Sequence, residues 1–183
     1  MRQSSKVTIH MVASLDGFVS KRDGSIDWMH SKDTYDKGKN LTEEEIAEFL
    51  SNIDCYVMGS KTYEHALALG WPYGELPVFV ITKRKLKAEK KNVVFYDGEL
   101  VKFVTKQLKP KYQNIWMVGG AMLTKEFIRL QLADEIVIAI MPVILGEGTL
   151  FFDYIGQEHH LHLKDLTAYK DGMVELCYEI KKE

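Results

Sequence analysis

Three stretches of this chain end an apolar, strand-like run in groups suited to holding phosphate. Val57-Met58-Gly59-Ser60-Lys61-Thr62 passes from a strand through glycine into a helix start. Ile81-Thr82-Lys83-Arg84 closes a strand on a hydroxyl and two cations. Val118-Gly119-Gly120-Ala121-Met122 again runs strand, glycine, helix. Glycine lets backbone amides approach an anion closely, and a helix start adds positive potential. Lys83 and Arg84 suit a 2′-phosphate, because cationic donors, and an arginine fork above all, match phosphate oxygens. Any one of these features is common in packing. The three in this order point to a phosphorylated dinucleotide. Neither G-x-x-x-x-G-K-[ST] nor G-x-G-x-x-G occurs, so this is not a P-loop or a Rossmann fingerprint.

Other reactive residue types fall short of a motif. His159, His160 and His162 cluster, but no carboxylate or cysteine joins them at ligand spacing, so no metal site is expected. Cys55 and Cys177 lie in apolar runs without a C-x-x-C and read as buried free thiols. Ser14 has no histidine in hydrolase order.

The elements that must position these groups alternate. Strands are predicted over 6–13, 54–59, 77–82, 92–96, 114–118 and 134–143, and helices start at Thr42, Ser60, Asp97-Gly98 and Ala121. Thr42 and Glu45 fit a capping box, and Ile46, Phe49, Leu50 and Ile53 follow helical spacing, predicting one buried stripe. Residues 20–41 read as a long polar loop, which in a compact domain is usually functional. Trp28 and Tyr35 within it could stack on a flat ring. Segments 160–169 and 173–180 read as a hairpin turning at Asp171-Gly172. This order implies a mostly parallel sheet covered on both faces.

The 183 residues suit one domain over 1–183, and a net charge of -2 gives no reason to expect nucleic acid or a membrane surface. No apolar run reaches the ~20 residues of a membrane span, and no leader is recognised, so a cytoplasmic protein is expected.

The chain resembles the dihydrofolate-reductase-like superfamily, in the branch of the reductase domain of the bacterial bifunctional riboflavin-pathway deaminase-reductase. The residues that carry this are Ala13-Ser14-Leu15-Asp16-Gly17, Met58-Gly59-Ser60-Lys61-Thr62-Tyr63-Glu64 and Val118-Gly119-Gly120-Ala121. The most specific part is Leu132-Ala133-Asp134-Glu135 followed by Pro142-Val143-Ile144-Leu145-Gly146-Glu147-Gly148. The resemblance covers nearly the whole chain.

It implies an α/β fold with a mostly parallel central sheet, flanking helices and a C-terminal antiparallel hairpin. It also implies NADPH-dependent reduction of a small heterocyclic substrate, of the 5-amino-6-(5-phosphoribosylamino)uracil reductase type, by a homodimer. The rival readings are a dihydrofolate reductase proper and a catalytically silent NADPH-binding protein. By resemblance Gly59, Ser60, Lys61 and Thr62 cradle the pyrophosphate and adenosine side, and Thr82, Lys83 and Arg84 meet the 2′-phosphate. Val118, Gly119, Gly120, Ala121, Met122 and Leu123 pass under the pyrophosphate and nicotinamide ribose, and Ala13 meets the carboxamide through its backbone. Asp16, at the cleft rim, is the candidate proton donor, with burial expected to raise its pKa. The zinc motif of the deaminase half is absent. Phe18 follows Asp16-Gly17 where the riboflavin-pathway reductases usually carry Lys or Arg, so the substrate stays open. The carboxylate that addresses a pterin in dihydrofolate reductases could be Asp33, Asp36, Glu43, Glu44, Glu45 or Glu48.

Overall fold

The protein is described by a computed structural model over residues 5–182. Apolar alternation sets its first strand, β1 (Lys6–Ser14), in which Val7, Ile9 and Ala13 are wholly buried. There follow β2 (Phe18–Ser20), a single 3-10 turn (Asp27–Met29), α1 (Glu43–Ser51), β3 (Cys55–Gly59), α2 (Ser60–Ala68), β4 (Val78–Ile81) and β5 (Val93–Tyr96). The chain continues through α3 (Leu100–Phe103) and a π-helical turn (Val104–Leu108) into β6 (Asn114–Gly119), α4 (Ala121–Arg129) and β7 (Glu135–Met141). It closes with β8 (Thr149–Leu150), β9 (Leu161–Ala168) and β10 (Val174–Ile180).

Eight strands form one sheet in the order β5-β4-β3-β6-β1-β7-β10-β9. The pairs from β5 to β7 are parallel, and β10 joins β7 and β9 antiparallel. The predicted α/β architecture and its closing hairpin are therefore present. One core cluster packs Val7, Ile9, Val57 and Met117 against Phe103, Leu108, Phe127 and Ile128. The second, on Tyr56, Met58, Val78 and Val80, packs against Tyr63 of α2.

Helices pack on both faces of the parallel strands, α3 and α4 against Val57 and α2 against Met58, but leave the antiparallel edge open: Leu161, Leu163 and Leu166 of β9 are 40%, 48% and 57% exposed. One expectation is corrected: the α1 stripe is not buried. The capping box forms as predicted, with Thr42 Oγ1 accepting from the Glu45 amide and Glu45 Oε2 accepting from the Thr42 amide. Yet Ile46, Phe49 and Leu50 are exposed, and only Ile53, beyond the helix end, is buried. Phe49 reaches the sheet, its ring 5.0 Å from that of His10 and 5.3 Å from that of Trp116. Beside this contact a cavity of about 230 Å³ opens among Thr8, His10, Phe49, Asn52 and Trp116.

The long loop is tied down at both ends. Phe18 of β2 pairs with Leu150 of β8. Farther on, Tyr35 N donates to Lys170 O (2.7 Å), Lys39 N to Ala168 O (2.8 Å) and Lys170 N to Lys39 O (2.9 Å). The loop thus docks on the turn between β9 and β10. Gly38 permits this, since a Cβ there would lie 2.4 Å from the Tyr169 carbonyl carbon.

Candidate active site

The two glycine turns come together at the carboxyl ends of neighbouring strands. Met58 of β3 lies beside Gly119 of β6, and Gly59 beside Ile81 of β4. Gly59 is the N-cap of α2 and Gly120 the N-cap of α4, and neither helix start has a side-chain cap. Two positive helix ends with unsatisfied amides therefore flank one gap. A Cβ on Gly59 would stand 3.9 Å from Gly119 O and Gly120 N, and a Cβ on Gly120 3.4 Å from Thr62 Oγ1, so side chains here would close the gap. The Gly119–Gly120 peptide is cis. Gly119 has φ 130°, and a Cβ there would meet Met11 Cε at 3.0 Å, so this position requires glycine. The Leu123 and Thr124 amides turn back to Gly120 O, which leaves Ala121 and Met122 with the first-turn donors of α4. The Leu123 and Val118 side chains belong instead to the two core clusters.

The third strand end forms a polar corner beside α2. Thr82 Oγ1 accepts from the Arg84 amide (3.0 Å), folding the turn back on itself. The Arg84 guanidinium donates to both oxygens of Glu64, at 2.7 Å each, and to Ser60 Oγ at 3.4 Å. Hydrogen bonding from Arg84 holds the Glu64 carboxyl below its usual value. Lys61 and Lys83 are exposed, and Lys83 takes part in no ion pair among the described residues. Glu64 has no site role in the sequence reading. The available signal was its helical spacing: four residues after Ser60 it returns to the same face of α2.

At the end of β1 the backbone alternates between its two neighbours. Lys6 N bonds toward β6 at Gln113 O, whereas Val7 O and Leu15 N bond on the β7 side, at Asp134 N and Val143 O. Ala13 is therefore directed to β7, where it registers with Ile140. Val12 turns its amide and carbonyl toward β6, past the last β1–β6 register pair, Ile9 with Met117.

At Asp16 it is the expected rise in pKa that is corrected. Its Oδ1 accepts from Ser14 Oγ (2.6 Å) and the Leu145 amide (3.0 Å), and its Oδ2 from the Gly146 amide (2.7 Å). The Ser14 hydrogen bond, followed by those amides, outweighs desolvation and lowers the carboxyl pKa. The expected rise does not occur, because donors surround the charge.

In the long loop Trp28 is buried, and its indole N–H has no acceptor among the described residues. Tyr35 is 43% exposed and His30 is exposed. Of the carboxylates considered for a pterin, Glu45 is held by Lys39 and the Thr42 amide, Asp33 lies against Gly172, and Asp36, Glu43, Glu44 and Glu48 are exposed. His160 pairs with Glu158 at 3.0 Å, and no trio of His, Cys, Asp or Glu among the described residues is arranged to hold a metal. No helix of the described residues is long and apolar enough to cross a membrane.

A mostly parallel sheet with β1 at its centre, an antiparallel closing pair and facing glycine turns defines an α/β domain of the dihydrofolate-reductase-like type. The chain belongs to the RibD C-terminal domain family, whose model matches residues 5–175. It is 31% identical over 175 residues to the uncharacterized protein YwjB of Bacillus subtilis (strain 168), covering 94% of this chain and 97% of that one. It superposes on a Shewanella sp. PV-4 protein named for riboflavin biosynthesis with TM-score 0.83 and 24% identity, covering 97% and 99% of the two chains. With the Thermotoga maritima diaminohydroxyphosphoribosylaminopyrimidine deaminase/5-amino-6-(5-phosphoribosylamino)uracil reductase the TM-score is 0.69 at 14% identity, over 98% of this chain and 58% of that one. The fold is thus that of riboflavin-pathway reductase-like proteins.

Proposed function

We propose that this protein is a cytoplasmic NADPH-dependent oxidoreductase that reduces a small heterocyclic substrate, of the 5-amino-6-(5-phosphoribosylamino)uracil reductase type, and works as a homodimer. The observation that carries this reading is the Cβ-free gap between Gly59 and Gly119-Gly120, set between two uncapped helix starts. A pyrophosphate fits such a gap by charge, by donor supply and by close backbone approach. Gly59, Ser60, Lys61 and Thr62 would hold it from α2, and Gly119, Gly120, Ala121 and Met122 from α4. Thr82, Lys83 and Arg84 form the corner for a 2′-phosphate. When bound, the cofactor supplies the hydride, and the chain supplies orientation and electrostatics.

Asp16 acts as a positioning residue that fastens the end of β1 to the loop at Leu145 and Gly146. Trp28 and Tyr35 are the proposed substrate contacts, Tyr35 through its exposed ring. The free edge of β9, with its exposed leucines, supports pairing of two copies.

The test is a calorimetric titration with NADPH, followed by a substrate panel read as loss of reduced-nicotinamide absorbance. The panel holds aminouracil ribosides with and without the 5-phosphate, and dihydrofolate. Saturable NADPH binding and turnover of an aminouracil are expected. Turnover of dihydrofolate alone would support the dihydrofolate reductase reading, and binding with no turnover the silent one.

A further inference from the structure

Arg84 lies in the corner assigned to a 2′-phosphate, yet its fork is taken. Nη1 and Nη2 each donate to a separate oxygen of Glu64 at 2.7 Å, and Nη1 also reaches Ser60 Oγ at 3.4 Å. The Arg84 and Glu64 side chains are 52% and 46% exposed, so the pair is weak and can exchange with a ligand. Even when it opens, a carboxylate remains one helical turn from Ser60 at the start of α2. Next to a dianionic phosphate that charge is repulsive. Next to a free ribose hydroxyl it is a good hydrogen-bond acceptor. In the same corner Lys83 is exposed and outside any ion pair among the described residues.

On the nicotinamide-nucleotide reading above, on which this rests, we infer that Glu64 is the cofactor-selecting residue. It withholds Arg84 from the 2′-phosphate and offers an acceptor to an unphosphorylated ribose. The protein therefore takes NADH as well as NADPH with only a narrow preference, and Lys83 makes the main phosphate contact.

The experiment measures binding, apart from turnover. The full chain and its Glu64→Gln and Glu64→Gln/Arg84→Ala variants are titrated by calorimetry with NADPH, NADH, adenosine 2′,5′-bisphosphate and adenosine 5′-monophosphate. Glu64→Gln should raise the preference for each 2′-phosphorylated ligand over its unphosphorylated counterpart by about tenfold, the scale of one removed like charge. Adding Arg84→Ala should remove that gain. A preference within about twofold of wild type in Glu64→Gln, or a shift toward NADH, would overturn the inference while leaving the cofactor reading intact. If wild type binds neither NADPH nor NADH, the cofactor reading fails and the inference falls with it. The substituted side chain is half exposed, so a melting curve suffices to verify folding. Should the variant melt early, Glu64→Ser titrated at the same pH with adenosine 2′,5′-bisphosphate and adenosine 5′-monophosphate gives a second reading. Removing the carboxylate should tighten the bisphosphate relative to the monophosphate, and an unchanged ratio would overturn the inference.

Discussion

Asp16 and Gly146 stand 130 residues apart in sequence and are joined by one hydrogen bond, the Gly146 amide donating to Asp16 Oδ2 at 2.7 Å. With the Leu145 amide on Oδ1, this bond fixes the rim of the cleft on the side of β1 and β7. The carboxylate thus accepts from the end of β1, through Ser14 Oγ, and from the loop after β7.

The first prediction follows from that role. A carboxyl whose folded pKa is depressed below 3.8 contributes stability that is fully present above that value. The contribution is lost as pH falls through the lowered folded value. Asp16→Asn keeps one acceptor oxygen and loses the charge. It should melt below wild type at neutral pH, and the difference should shrink in acid. Amide exchange at Leu145 and Gly146 should quicken in the variant, and unchanged exchange would show that Asp16 does not hold the loop.

The double glycine separates binding from folding. Gly120 has φ -82°, which any residue adopts, and a Cβ there makes only a 3.4 Å contact with Thr62 Oγ1. Gly120→Val should therefore fold while its methyl groups fill the gap and abolish NADPH binding by calorimetry. Gly119→Ala places a side chain at φ 130° against Met11. It should cost about 1–3 kcal/mol of stability in a denaturant melt.

Lys83→Ala tests the cation at the end of β4. Loss of one charge-assisted bond, ~1.5–3 kcal/mol, should weaken NADPH about 10- to 100-fold. NADH should bind as before. Equal weakening of both would remove Lys83 from the 2′-phosphate corner.

Local signals account for much of what the sequence reveals. Thr42 and Glu45 are three residues apart, so their box is legible before any fold is known. The strand-glycine-helix turns are likewise continuous in sequence, and they mark both helix starts that face each other. The misreadings concern distant partners. The acceptor role of Asp16 depends on amides beyond β7, and Glu64 meets Arg84 only after β4 has paired with β3. β2 and β8 are three and two residues long, too short for alternation to show. Helical spacing identified the apolar stripe of α1, but spacing carries no information on whether a partner surface comes close enough to bury it.

The fourth prediction concerns β9. It is the last strand of the sheet, and a bulge opposite Cys177 and Tyr178 falls between Leu163 and Asp165. Leu163 pairs with Tyr178 and Leu166 with Leu176 in the same strand pair. If two copies meet here, light scattering should give twice the 21.1 kDa of one chain. Leu163→Lys with Leu166→Lys should return the mass to that of one chain and leave NADPH binding intact.

Helix α1 buries none of its nine residues, while β1, on the sheet beneath it, holds three wholly buried ones. Lifting α1 therefore sacrifices little apolar area, whereas displacing β1 breaks the core. In an exchange experiment α1 belongs to the low-free-energy end of the opening spectrum and the central strands to the global end. The ceiling above His10 and Trp116 is thus compliant and its floor rigid. Any change in the height of this cavity is set by the helix, while the sheet keeps its outline fixed.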